Sequence, residues 1–103
     1  MQNKRDMYYS KIEKARRILG LGKKATLGEI KKAYRDLVKK NHPDRHSEED
    51  KAIYDRKIAR INQAYEELMA YVAQFEISFE KDIVEQYDPE KPIRRFKGDW
   101  LGQ

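Results

Sequence analysis

Tyr54, Ile58, Ile61, Tyr65, Leu68, Val72 and Phe75 recur at alternating intervals of four and three. That spacing lays one apolar seam along a helix of about six turns. A seam of this length needs a partner, and a matching one stands upstream in Ile30, Ala33, Tyr34 and Leu37. Between the two lies only His42-Pro43-Asp44-Arg45-His46. Pro43 offers no N–H and pushes His42 out of helical geometry, so the upstream helix ends at about Asn41. A connection this short makes the two helices antiparallel neighbours. The chain is therefore read as an all-α fold built on a helical hairpin, and 5 Gly and 3 Pro among 103 residues leave little material for the turns of a β fold.

Capping signals set the boundaries. Thr26-Leu27-Gly28-Glu29 is a capping box, in which hydroxyl and carboxylate each satisfy an orphan N–H, and it opens a second helix over about 27–41. Tyr8, Ile12, Ala15 and Leu19 predict a first helix over about 7–19, closed by Gly20 and Gly22 and lying along the side of the hairpin. Ser47 followed by Glu48, Glu49 and Asp50 predicts a hydroxyl-capped start for the third helix, about 48–73, with residues 42–47 as the linking loop. These elements make one domain over 1–73.

Residues 74–103 form a C-terminal extension. Phe75, Ile77 and Phe79 alternate like a short strand, a small helix is expected over about 79–87, and the chain is irregular from Asp88-Pro89 onward. Residues 66–90 carry 8 acidic side chains against one Lys, whereas Lys91, Arg94, Arg95 and Lys97 follow. With Ile93, Phe96, Trp100 and Leu101 as apolar anchors, the tail is expected to fold back over the piece from Phe75 to Tyr87 at the outer end of the hairpin. The competing reading is a free tail that binds a client or partner protein.

The net charge of +5 conceals an asymmetry: residues 1–41 hold 13 Lys/Arg and 4 Asp/Glu, and the remainder 10 and 14. On a helical wheel with Ile30 at zero, Lys31, Arg35, Lys39 and Lys32 fall together between about 100° and 200°, with Glu29 and Asp36 near about 250°. A solvated helix gains by alternating charges at i and i+4. A repelling basic line is better explained by an external anion. It runs toward His42-Pro43-Asp44, where Pro43 holds an imidazole and a carboxylate at a rigid corner. Catalysis there would also need a nucleophile, a pocket and an oxyanion donor, and nothing nearby supplies them. His42, Asp44 and His46 would make a metal site only with a fourth ligand. An ordinary helix stop and turn is the plainest alternative.

Ile18-Leu19-Gly20-Leu21, Glu29-Ile30-Lys31-Lys32-Ala33-Tyr34, Leu37, His42-Pro43-Asp44-Arg45 and Ile61-Asn62-Gln63-Ala64-Tyr65-Glu66-Glu67-Leu68 together resemble a J-domain of the DnaJ-like co-chaperones, over about residues 12–73. The resemblance implies helices II and III as an antiparallel hairpin with helix I packed on it, followed here by a short C-terminal helical extension. It implies docking on an ATP-bound, DnaK-like heat-shock chaperone of the seventy-kilodalton class and stimulation of that chaperone's ATP hydrolysis. Carried over by position, Lys31, Tyr34, Arg35 and Lys39 would meet an acidic surface of the chaperone. His42, Pro43 and Asp44, with Arg45, would engage the junction of its nucleotide domain, linker and substrate domain, Asp44 pairing with an arginine there. The chain departs from the family pattern at Asp36, where many members carry another basic residue. Ala15 and Arg16 stand where an aromatic pair is usual, so that Tyr8 or Tyr9 is recruited instead. Ile58 replaces a common core phenylalanine, a loss of volume that Tyr54 is placed to fill. No Gly/Phe-rich linker or Cys-rich repeat accompanies it.

The alternative from another class is a small basic DNA-binding module. Its second helix would then carry side chains that read base edges, but it has no Gln and one terminal Asn, and the turn before the third helix is acidic. The third seam could also dimerise, although it already has intramolecular partners. The expectation is a monomeric, cytoplasmic protein that is not an enzyme, takes no cofactor or metal and binds neither nucleic acid nor membrane. It has no cysteine and no apolar run long enough for a signal peptide or a span.

Overall fold

The computed structural model describes residues 4–90, with side chains from Asp6 onward. The elements are α1 (Lys4–Ile18), α2 (Leu27–Lys40), α3 (Lys51–Val72) and α4 (Lys81–Gln86), with single 3₁₀ turns at Pro43–Arg45 and Glu48–Asp50 between α2 and α3. No strand is present among the described residues. Tyr34 meets Asn62 and Tyr65, while His46, beyond the turn, meets Tyr54, an order that only antiparallel helices give. α1 also runs antiparallel to α3, since Tyr8 meets Tyr71 and Gln74 near the far end of α3.

Helix ends follow local chemistry. Thr26 Oγ1 accepts from the Glu29 N–H at 3.1 Å while Glu29 Oε1 accepts from the Thr26 N–H at 2.7 Å, which completes the capping box. That bond to the Thr26 backbone N–H holds the Glu29 carboxyl below its ordinary pKa. At the end of α1, Gly20 adopts φ +71°. The N–H groups of Leu21 and Gly20 return to the carbonyls of Arg16 and Arg17 at 3.0 Å each, a closing motif that needs a left-handed residue. Gly22 plays no such part.

The core is small. Ala15, Leu19, Ile30, Ile61, Ala64 and Leu68 are buried, ringed by half-buried residues including Ile12, Leu37, Val38, Ile58 and Val72. Ala15 and Ala64, each 1% exposed, are its most buried members, and their small side chains let α1 and α3 approach closely. Beside Ala15, Arg16 forms a clamp. Its guanidinium grips both oxygens of Glu13 at 2.8 and 2.9 Å and donates to the Leu21 carbonyl at 2.8 Å. Lys23 adds a bond to Glu13 at 2.9 Å, tying α1 to the loop that follows it. Tyr8 is recruited, stacking at a tilt on Tyr71 and accepting from Gln74.

Several expectations are corrected. α1 starts at Lys4 rather than near residue 7. α3 starts at Lys51, because residues 48–50 wind as a tighter 3₁₀ turn, and Ser47 makes no capping bond, its hydroxyl going to Asp50 at 3.3 Å. The Tyr54 ring is stacked on His46, a partner that the apolar spacing does not indicate. α4 is shorter than expected, beginning at Lys81. In the piece before it Phe75 meets the Tyr71 ring edge-on at 5.0 Å, Ile77 and Phe79 are 77% and 86% exposed, and among the described residues no strand lies beside them. Ile93, Phe96, Trp100 and Leu101, assigned to the fold-back of the tail, lie outside the described residues.

Candidate functional site

Lys31, Arg35 and Lys39 lie exposed along α2, and among the described residues none of them enters an ion pair. Lys32, grouped with them on the wheel, is instead bound to Asp36 at 2.7 Å across one turn, and this bond holds the Asp36 carboxyl below its ordinary pKa. The positive line is thus three residues long, with an internally neutralised pair beside it.

The line ends at the turn. The His42 backbone is extended, with φ −62° and ψ 131°, as the residue before a proline must be, and Pro43 opens one 3₁₀ turn closed by the His46 N–H on the Pro43 carbonyl. His42 Nδ1 accepts from the Asp44 backbone N–H at 3.1 Å. That bond assigns the proton of the neutral imidazole to Nε2. Asp44 Oδ2 lies 3.7 Å from the same Nδ1, too far for a hydrogen bond to an atom already accepting one, so the two side chains are not an ion pair. The Asp44 carboxylate is 84% exposed and the His42 side chain 51%. The turn therefore presents a carboxylate acceptor and an imidazole N–H to solvent, side by side, at the end of a basic line.

Two residues that the resemblance assigned to a partner are engaged internally. The Tyr34 hydroxyl donates to Asn62 Oδ1 at 2.7 Å, and its ring stacks on Tyr65 at 4.0 Å and 11°. The Arg45 guanidinium reaches back to the Lys39 carbonyl at 3.2 Å. Sequence reasoning missed the way the last carbonyls of α2 are satisfied. Asn41 Nδ2 donates to the Leu37 carbonyl at 2.9 Å, and His46 Nε2 lies 3.1 Å from the Lys40 carbonyl. His46 is thereby directed away from Asp44, and among the described residues no group of three or more His, Asp or Glu could hold a metal.

An open groove of about 810 Å³ lies at the other end of the bundle, walled by Tyr8, Tyr9, Leu27, Tyr71 and Phe75. Among the described residues that line it the one carboxylate is Glu13, which is clamped by Arg16 and Lys23. No helix among the described residues is long and apolar enough to cross a membrane.

The family model described as DnaJ domain matches residues 14–73. A DnaJ homolog subfamily C member 3 homolog of Dictyostelium discoideum is 50% identical over 52 residues, which are 50% of this chain and 10% of that protein. The chaperone protein DnaJ of Mycoplasmopsis pulmonis is 44% identical over 66 residues, 64% of this chain and 15% of the relative. That of Geobacillus stearothermophilus is 55% identical over 51 residues, 50% and 13% of the respective lengths. The chain thus spans 10–15% of the length of these curated relatives. No solved structure matches it significantly.

Proposed function

This chain belongs to the DnaJ-domain family, and from that premise we propose that it is a co-chaperone that docks on a DnaK-like heat-shock chaperone of the seventy-kilodalton class and stimulates its ATP hydrolysis. The observation that carries the reading is the continuity of the unpaired Lys31, Arg35 and Lys39 with the exposed His42-Pro43-Asp44 turn. The basic line meets an acidic surface and steers encounter, since exposed charges act over about 8–10 Å at physiological salt. The turn then supplies the specific contact. The Asp44 carboxylate, hardly covered in the free chain, pairs with an arginine of the chaperone in a charge-assisted bond that strengthens as water leaves. His42 holds the Asp44 backbone through Nδ1 and keeps its Nε2–H for the partner.

The chain performs no bond chemistry itself; it biases the chaperone toward the arrangement that hydrolyses. It acts as a monomer in the cytoplasm and binds no nucleic acid, and the α3 seam is already spent on α1 and α2. The exposed Phe75, Ile77 and Phe79 leave the C-terminal extension as a contact for a client or second partner. The reading is tested by titrating ATP-loaded chaperone onto the immobilised chain. Binding that falls steeply with salt, together with ATP hydrolysis that Asp44→Asn no longer stimulates, supports it, and binding indifferent to salt with full stimulation by that variant refutes it.

A further inference from the structure

We propose that His46 and Tyr54 are positioning residues that brace the His42-Pro43-Asp44 turn against both helices of the hairpin, an inference that rests on the turn being the element that triggers hydrolysis. The last carbonyls of a helix have no partner within it. Here those of Lys39 and Lys40 are met from beyond the turn, by Arg45 and His46. The chain thus leaves α2, passes through the triplet and is tied back to the point it left. The tie at His46 has a second half. Its ring lies flat on that of Tyr54, in the first turn of α3, with centroids 3.5 Å apart and planes 2° from parallel. With one face of Tyr54 so covered, the Lys57 ammonium, 4.6 Å from the centroid, takes the other.

One imidazole therefore fixes the distance between the end of α2 and the start of α3, by its edge on the first and by its face on the second. Within the triplet the bonds are local, the Asp44 N–H to His42 Nδ1 and the His46 N–H to the Pro43 carbonyl, and they shape the turn without setting where it sits between the two helices. Both members of the brace are separate from the surfaces assigned to the chaperone. Loss of the brace would widen the range of orientations open to the Asp44 carboxylate and leave the basic line on α2 untouched. A chain with a loosened turn would still bind through Lys31, Arg35 and Lys39. The loss then falls on the maximal stimulated rate rather than on the concentration needed to reach half of it.

The experiment titrates the full chain into a purified, ATP-loaded DnaK-like chaperone under single-turnover conditions, with His46→Ala, Tyr54→Ala and Tyr54→Phe beside the unmodified chain. The two alanine variants are expected to lower the maximal stimulated rate about two- to tenfold, the range that losing an aromatic stack imposes on a two-state population. Half-saturation stays within about twofold, and Tyr54→Phe, which keeps the ring, restores the maximum. Hydrogen exchange at the Asp44 amide, bonded to His42 Nδ1, is faster in the alanine variants and normal in Tyr54→Phe. Full maximal stimulation by both alanine variants overturns the brace and leaves the co-chaperone reading standing. So does a phenylalanine variant as impaired as the alanine one, or a loss confined to half-saturation. Failure of the unmodified chain to stimulate overturns both.

Discussion

Replacing Tyr34 by Phe removes one oxygen and nothing else, and the structure says what that oxygen does. It donates to Asn62 Oδ1 at 2.7 Å across the hairpin, from a half-buried ring whose stack on Tyr65 the phenylalanine retains. A hydrogen bond of this kind contributes about 0.5–1.5 kcal/mol net, and water has partial access to the orphaned Asn62 oxygen, so a loss of about 1 kcal/mol is expected. For a domain of this size that is about 4–8 °C in Tm. In urea, with a slope of about 1–2 kcal/mol per molar, the midpoint falls by about 0.5–1 M while the slope is unchanged. The assay is a double-mutant cycle with Asn62→Ala, followed by far-ultraviolet circular dichroism, and the coupling energy should be about 0.5–1.5 kcal/mol. The phenylalanine variant should also reach half-maximal stimulation of a DnaK-like chaperone at the same concentration as the original, because the hydroxyl is spent inside the hairpin. Additivity within about 0.3 kcal/mol would refute the internal tie, and an unchanged midpoint with weakened stimulation would return the hydroxyl to the chaperone interface.

Two further outcomes follow from charge. The Arg16 guanidinium and the Lys23 ammonium hold the Glu13 carboxyl well below its usual 4.5, at about 2. A depressed carboxyl stabilises the fold above its unfolded value and loses that contribution as pH falls through the folded one. The unmodified chain should therefore lose more stability between pH 4.5 and 2 than Glu13→Gln does, as read by acid titration of urea midpoints; parallel curves would deny the clamp. Arg35→Glu should weaken chaperone binding by about 1 kcal/mol, or about fivefold, at low salt, with the difference shrinking as salt rises. A salt-independent loss would mean that Arg35 acts by shape.

The hairpin and the basic line were legible because both depend on spacing within a helix. The capping box at Thr26 and the stop at Gly20 were equally local, each decided by a side chain or a φ angle within a few residues. What stayed hidden depends on register between elements. Once Tyr34 sits opposite Asn62 and Tyr65, antiparallel order sets Tyr54 opposite the linking turn itself, so an aromatic partner from 42–46 was the residue to look for. The seam alone could not say so, since it treats Tyr54 as one more core position. Lys32 illustrates a different limit: the wheel separates it from Asp36 by an angle that two flexible side chains, four residues apart, readily close. Beyond Phe75 the alternation of apolar residues signalled a strand, but a strand needs an edge to pair with, and the described chain offers none.

The central claim is that an exposed turn, held in shape and contributing nothing to the core, switches a chaperone's hydrolysis. Single-turnover ATP hydrolysis by a DnaK-like chaperone, measured with the unmodified chain and with His42→Gln at matched concentration, tests it most directly, with a thermal melt of each chain alongside. Strong stimulation by the first and none by the second, at melting temperatures within a few degrees, is the predicted result. Equal stimulation by both, or a His42→Gln chain that has simply unfolded, would contradict it.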